Sequence, residues 1–223
     1  MNTYSTNTVS GARTGVRTTN RVVRNTYALL SLTLLFSALT AGVSMALGLP
    51  HPGILLTLAG YFGLLFATAK FRNSGLGLVF VFALTGFMGY TLGPILNSYL
   101  SLANGSQIVM TAMAGTGAIF LGLSGYALVS RRDFSFMGGF LMAGILTAFI
   151  AGLGAIFFEI PALSLAVSAM FVLLMGGLIL YETSNIIHGG ETNYIMATVT
   201  LYVSIFNLFT SLLHLLGFMS SQE

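Results

Sequence analysis

The sequence predicts an all-α membrane protein with seven transmembrane helices, and three observations carry that prediction. Of its 223 residues 56% are hydrophobic and only 6% are charged, against about 25% charged in a soluble domain. The mean hydropathy is +0.92, so the chain cannot cover itself with a water-compatible surface. The apolar residues also fall into continuous runs near the roughly 20 residues that cross a bilayer as helix. A β-barrel would instead show short alternating segments.

Seven spans follow in order: Tyr27–Leu49, Ile54–Ala69, Leu76–Leu96, Ile108–Val129, Phe134–Phe158, Pro161–Tyr181 and Tyr194–Phe218. Before the first lies a polar stretch carrying Arg13, Arg17, Arg21 and Arg24. The run after it is too long for a signal peptide's apolar region, so it reads as a retained span. Pro50, Pro52 and Pro161 fall at span boundaries, where a missing backbone donor does least harm. Gly93-Pro94 is expected to interrupt the third span, and Asn104-Gly105 marks a turn. The tight joints predict one unit: residues 1–25 a flexible polar tail, residues 26–219 the membrane domain and residues 220–223 a short tail.

Arginine and lysine set the orientation. The tail arginines, Lys70 and Arg72, and Arg131-Arg132 alternate with loops that hold no Lys or Arg. The positive-inside rule then puts the N-terminus in the cytoplasm and, after seven spans, the C-terminus on the outer side. The formal charge of +3 forms no extended patch, so nucleic acid is not an expected partner.

Within the spans, Gly144, Ala148 and Gly152 form a small-residue face for close helix packing. Thr33, Ser37, Thr40 and Ser44 share a stripe on span one. Asn193, Thr200, Ser204, Asn207, Ser211 and His214 do so on span seven. Such stripes either hydrogen-bond helices together or line a hydrated path.

Catalytic chemistry finds little support. With no cysteine, thiol catalysis, disulfides and cysteine-bound metals are excluded. Ser124 in "GLSG" and His214 in "HLLG" suggest an intramembrane serine nucleophile and base. Their depths, about 10 Å and about 30 Å from the cytoplasmic face at 1.5 Å per residue, keep them apart. His51, His188 and His214 lie at dissimilar depths and show no zinc-protease spacing. No cofactor or metal is expected.

The stretch "YETSNIIHGGETNY" (Tyr181 to Tyr194) differs. Glu182 would sit about two turns inside the end of span six, with Asn185 a turn on along the same face and Gly189-Gly190 ending the helix. A carboxylate within a span usually faces the bundle interior or water. Desolvation disfavours its charged form, so it is a candidate protonation switch. His188 and Glu191, around and beyond the glycines, read as cytoplasmic loop residues.

Four blocks carry a family resemblance: "VVRNTYALLSLTLLFSA" (Val22 to Ala38), "GPILNSYL" (Gly93 to Leu100), "FMGGFLMAGI" (Phe136 to Ile145) and "YETSNIIHGGETNYIMATVTLYVSIFNLFTSLL" (Tyr181 to Leu213). In these the chain resembles the Bax-inhibitor (TMBIM) superfamily, and within it the bacterial YccA-type branch. The resemblance implies six helices bundled around a short final helix. It implies a location in the bacterial inner membrane and no enzymatic activity. It further implies a partnership with the membrane protease FtsH and its HflK/HflC companions, as a slowly degraded substrate that competes with others.

Many superfamily members are pH-sensitive calcium leaks closed by two acidic residues. Glu182 matches the first. At the second position, in "LYVSIFNLF", this chain has Ser204, with Asn207 nearby on the same stripe. Without the second carboxylate the calcium mechanism does not transfer directly, which ranks protease modulation above a leak gated at Glu182.

Overall fold

A computed structural model describes the backbone of residues 7–220 and the side chains of residues 19–220. The outermost parts of both expected tails, with the side chains of Arg13 and Arg17, lie outside the described residues. The described chain is helical throughout: α1 (Asn7–Ala46), α2 (Ile54–Lys70), α3 (Gly75–Leu100), α4 (Gly105–Ser130), a 3-10 turn (Ser135–Met137), α5 (Gly138–Phe157), α6 (Pro161–Ile187) and α7 (Tyr194–Ser220). Six of these are long and apolar enough to cross a membrane, the first as Thr19–Ala46. At 17 residues α2 is a shorter apolar helix, about 25 Å long. The polar stretch is helical from Asn7, so the expected boundary at residue 25 is no break in secondary structure.

Two expectations need correction. The final helix is not short: α7 runs 27 residues, from Tyr194 to Ser220. Its sequence holds no proline and its one glycine, Gly217, comes near the end, so nothing stops it earlier. Its buried positions cover about two thirds of its circumference (Ile195, Ala197, Thr198, Val199, Leu201 and Tyr202 among them), and it packs against α1, α3, α4 and α6.

The second correction concerns Gly93-Pro94, which does not interrupt α3. Proline removes the N–H that would bond the carbonyl four residues back, here that of Tyr90. The Ser44 hydroxyl of α1 donates to that carbonyl instead, at 3.0 Å. Close approach of the helices permits this. A methyl group at Gly89 would overlap Ser37 and Thr40, and one at Gly93 would overlap Ser44. Glycine lets the α3 backbone lie directly on the hydroxyl stripe of α1.

The rest of that stripe is also bonded within the protein. Ser37 pairs with the Tyr202 hydroxyl at 2.6 Å, Tyr202 donates to the Thr85 carbonyl at 3.2 Å, and Thr33 and Thr40 donate to carbonyls of their own helix. A cavity of about 430 Å³ lies beside the seam, lined by apolar side chains such as Leu34, Ala38, Phe120 and Phe206. The Ser37 and Tyr202 hydroxyls at its wall face one another. Through Ser37 and Ser44 the stripe on α1 acts as glue between helices.

Candidate functional site

The end of α6 is built by a complete glycine stop. Gly189 takes φ +78°, a left-handed conformation that suits a residue without Cβ. Its N–H donates to Ile186 O at 3.2 Å, and that of Gly190 donates to Asn185 O at 2.9 Å. These two bonds form the Schellman closure, satisfying carbonyls that the helix leaves orphaned. The chain then turns into α7, whose start is capped by Asn193: its Oδ1 accepts from the N–H groups of Ile195 and Met196 at 3.0 and 3.2 Å. The same side chain's Nδ2 reaches Arg72 O (3.1 Å) and Asn73 Oδ1 (2.9 Å), tying α7 to the α2–α3 loop.

Glu182 sits a turn and a half before this stop and is only 5% exposed. It shares the end of α6 with buried Thr183, Ser184 and Ile186. Asn185 lies close enough for its side chain to act on the carboxyl group, and Glu191 close enough to act on it electrostatically. The structure therefore joins Glu182, Asn185 and, through charge, Glu191. It does not join Ser204 or Asn207 to them. Ser204 is buried and donates to Thr200 O at 2.7 Å, and Asn207 donates to Val203 O at 2.9 Å. Each closes on its own helix.

Glu191 also accepts the Asn193 N–H at 2.6 Å and so braces the α6–α7 turn. The neighbouring Thr183 hydroxyl lies between Tyr27 Oη of α1 and Ser124 Oγ of α4, 3.2 Å from each. Ser124 thus has a hydroxyl neighbour, and His214 pairs with Ser168 Oγ at 2.8 Å on the other side of the membrane domain. Among the described residues no three His, Cys, Asp or Glu side chains gather to hold a metal.

Sequence reading missed Ser184 and undervalued His188. Ser184 Oγ accepts the Phe134 N–H at 3.0 Å and donates to Arg132 O at 3.0 Å. His188, at the helix end, places Nδ1 2.8 Å from Ser184 O and Nε2 3.1 Å from Arg131 O. Together they fasten α6 to the α4–α5 loop. The four-residue spacing of Ser184 and His188 is a visible signal that both lie on one face; their partner loop is not visible in any pattern. In that loop the Ser135 N–H holds the Asp133 carboxyl below the usual carboxylate range from 2.9 Å, with the Ser135 side chain and then the charge of His188 acting in the same direction.

Comparison with known proteins places the chain in a family. Residues 19–221 match the family described as "Inhibitor of apoptosis-promoting Bax1". The chain belongs to the Bax inhibitor family. Within it, the chain is 57% identical over 208 residues to the "Modulator of FtsH protease YccA" of Escherichia coli strain K12, covering 93% of this chain and 94% of the relative. The same identity and coverage hold for the "Inner membrane protein YccA" of Escherichia coli O6:H1. An uncharacterized protein of Pseudomonas aeruginosa, PA2604, is 56% identical over 201 residues, 90% of each chain. The family match takes in all six long apolar helices and the whole α6 end of this member of the Bax inhibitor family.

Proposed function

We propose that this chain is a multi-pass protein of the bacterial inner membrane that modulates the FtsH protease as a competing, slowly degraded substrate, with no enzymatic activity of its own. The observation that carries this reading is the 57% identity, over almost the whole of both chains, to a relative named for modulating FtsH. A second relative is named as an inner membrane protein, and six long apolar helices suit that location. The reading includes HflK/HflC as companions of the protease, six helices grouped around α7, and a cytoplasmic N-terminus by the positive-inside rule. In this reading the polar segment up to residue 25 is the grip for the protease, since processive degradation starts at a chain terminus.

Deleting Met1 to Asn20 tests the reading. In a chase experiment in cells with active FtsH, the truncated chain should outlast the full chain. Equal lifetimes in the two would overturn it.

A second reading, a pH-sensitive proton or calcium leak gated at Glu182, is favoured by one observation: a buried carboxyl group at the end of a membrane helix. Liposomes carrying the protein should then show cation flux across a pH series that changes on Glu182→Gln. An absence of flux at every pH removes this reading without touching the first.

A further inference from the structure

The cavity beside the contact of α1 with α3 is closed at both ends and open along one side. Its walls come from α1, α3, α4 and α7, and its volume is about 430 Å³. Towards the start of α1 it ends where the Tyr27 ring meets that of Phe120, with centroids 6.2 Å apart. Towards the α3–α4 turn it ends where Leu96 packs against Ile108, Ala112 and Leu213. Behind it stand Ile205, Phe206 and Phe209 of α7. The remaining side, between α1 and α4, is not sealed.

Small residues keep that side open. Ala38 and Gly42 line it from α1 and Gly117 from α4, and a Cβ added at either glycine would meet nothing within 4 Å. Met113 of α4 lines the cavity and is also 61% exposed, so it stands at the mouth. The mouth runs on into the outer surface of the same two helices, where Leu35, Leu39, Met110 and Leu121 are exposed. Both helices are long and apolar enough to cross a membrane, so this surface faces hydrocarbon.

The lining offers a polar occupant nothing. None of its residues is charged, and its hydroxyl protons are already used. Ser37 and Tyr202 bond each other at 2.6 Å, Tyr202 donates to Thr85 O at 3.2 Å, and Thr116 donates to Ala112 O at 2.7 Å. A buried water needs about 2–4 polar partners, and these walls hold no free donor. Near the mouth, the α1–α2 and α3–α4 connections contain no Asp, Glu, Lys or Arg to select a headgroup. From Leu34 to Met45 the α1 wall rises about 16 Å at 1.5 Å per residue. That is half of the roughly 30 Å hydrocarbon thickness, the depth filled by the acyl chains of one leaflet.

We propose that this cleft holds one acyl chain of a membrane phospholipid, which enters sideways between α1 and α4 from the leaflet on the α3–α4 side and is recognised by its hydrocarbon alone. The acyl chain lies against the Phe206 and Phe209 rings, behind the surface that ordinary lipid touches. It supplies the contacts that the walls would forfeit around a void.

The protein has no tryptophan, so a single introduced one reports contact with bromine, which quenches indole fluorescence only at close approach. Phe206→Trp puts it on the back wall, with Phe209→Trp as a second reporter there if the first variant folds poorly. Leu121→Trp puts it on the outer surface of α4. The full protein is placed in nanodiscs of phosphatidylethanolamine or phosphatidylglycerol brominated at mid-chain, and each is compared with the unbrominated lipid. Both Phe206→Trp and Leu121→Trp should be quenched, with either headgroup. Adding Gly42→Leu and Gly117→Leu, two positions with room for a side chain, fills the mouth. Quenching of Phe206→Trp should then fall several-fold while that of Leu121→Trp stays. No quenching at the back wall, whether the cleft is empty or covered by a second copy of this protein, would overturn the proposal. So would quenching that survives the filled mouth, or a response to one headgroup alone.

Discussion

The α1–α3 seam and the end of α6 both place polar groups inside an apolar protein, and they use them in opposite ways. In the seam the polar groups are hydroxyls, carbonyls and the Asn97 amide, which donates to Met45 O. Ser37, Thr40 and Ser44 lie against glycines, and each bond closes within the protein. Nothing there changes charge, so the seam has one state. At the α6 end, Glu182, His188, Glu191 and Asp133 lie within one corner, and their charges act on one another. Polarity in the seam holds helices together, whereas polarity at the α6 end gathers ionisable groups.

The largest effect should come from breaking the seam. Gly89→Leu puts a side chain where Ser37 and Thr40 already stand, and the overlap includes the Ser37 backbone carbonyl, which has no rotamer to escape into. Overpacking of this kind costs about 1–3 kcal/mol or more, and the upper end is expected because the helices must part. Denaturant titration in micelles measures it. Gly125→Leu on α4, where an added Cβ meets nothing within 4 Å, should leave the midpoint nearly unchanged. Equal losses at the two positions would mean that the seam is not a tight contact.

A smaller effect sharpens the account of Pro94. Ser44→Ala leaves the Tyr90 carbonyl without its donor, a loss of about 1 kcal/mol for a buried group. Pro94→Ala restores the backbone N–H that proline removed, giving Tyr90 an alternative partner. The loss from Ser44→Ala should therefore shrink when Pro94→Ala is already present. A double-mutant cycle measures this, and strict additivity would dissociate the serine from the proline.

These substitutions also show what the sequence could and could not reveal. Helix starts and stops were legible because they depend on local pattern. Pro161 opens α6 and Gly189-Gly190 closes it, whereas Ile54–Lys70, expected as a span, is a shorter apolar helix, and the Asn193 cap was read as part of a stripe. The buried position of Glu182 beside Asn185 was legible too, since depth along a helix follows from residue count.

What failed to show were effects that need a second helix. Gly93-Pro94 looked like a break because the compensating Ser44 lies 46 residues away. Ser204 matched a position opposite Glu182 by resemblance, yet its hydroxyl turns back to Thr200. His188 looked like a loop residue because the Arg131 carbonyl is a backbone group, and backbone groups leave no trace in side-chain pattern.

The smallest expected effect lies at Asp133, and it sharpens the contrast from the side of charge. Its carboxyl accepts the Ser135 N–H at 2.9 Å and is held below its ordinary value of 3.8. A carboxyl lowered on folding stabilises the folded loop fully above the unfolded value, and that support disappears as pH falls through the lower folded one. Amide exchange of the 131–137 segment, corrected for its intrinsic pH dependence, should therefore show protection that is steady from neutral pH down to about pH 4 and declines below it. Asp133→Asn keeps an oxygen to accept the Ser135 N–H but removes the titration, so its protection should not decline in acid. The group is fully exposed, and solvent screens such interactions, so the change should stay within the loop and leave the midpoint of global unfolding where it was. Acid loosening that persists unchanged in Asp133→Asn would assign it to another group in the corner. The seam, which has nothing to titrate, should show no acid-dependent exchange in either protein.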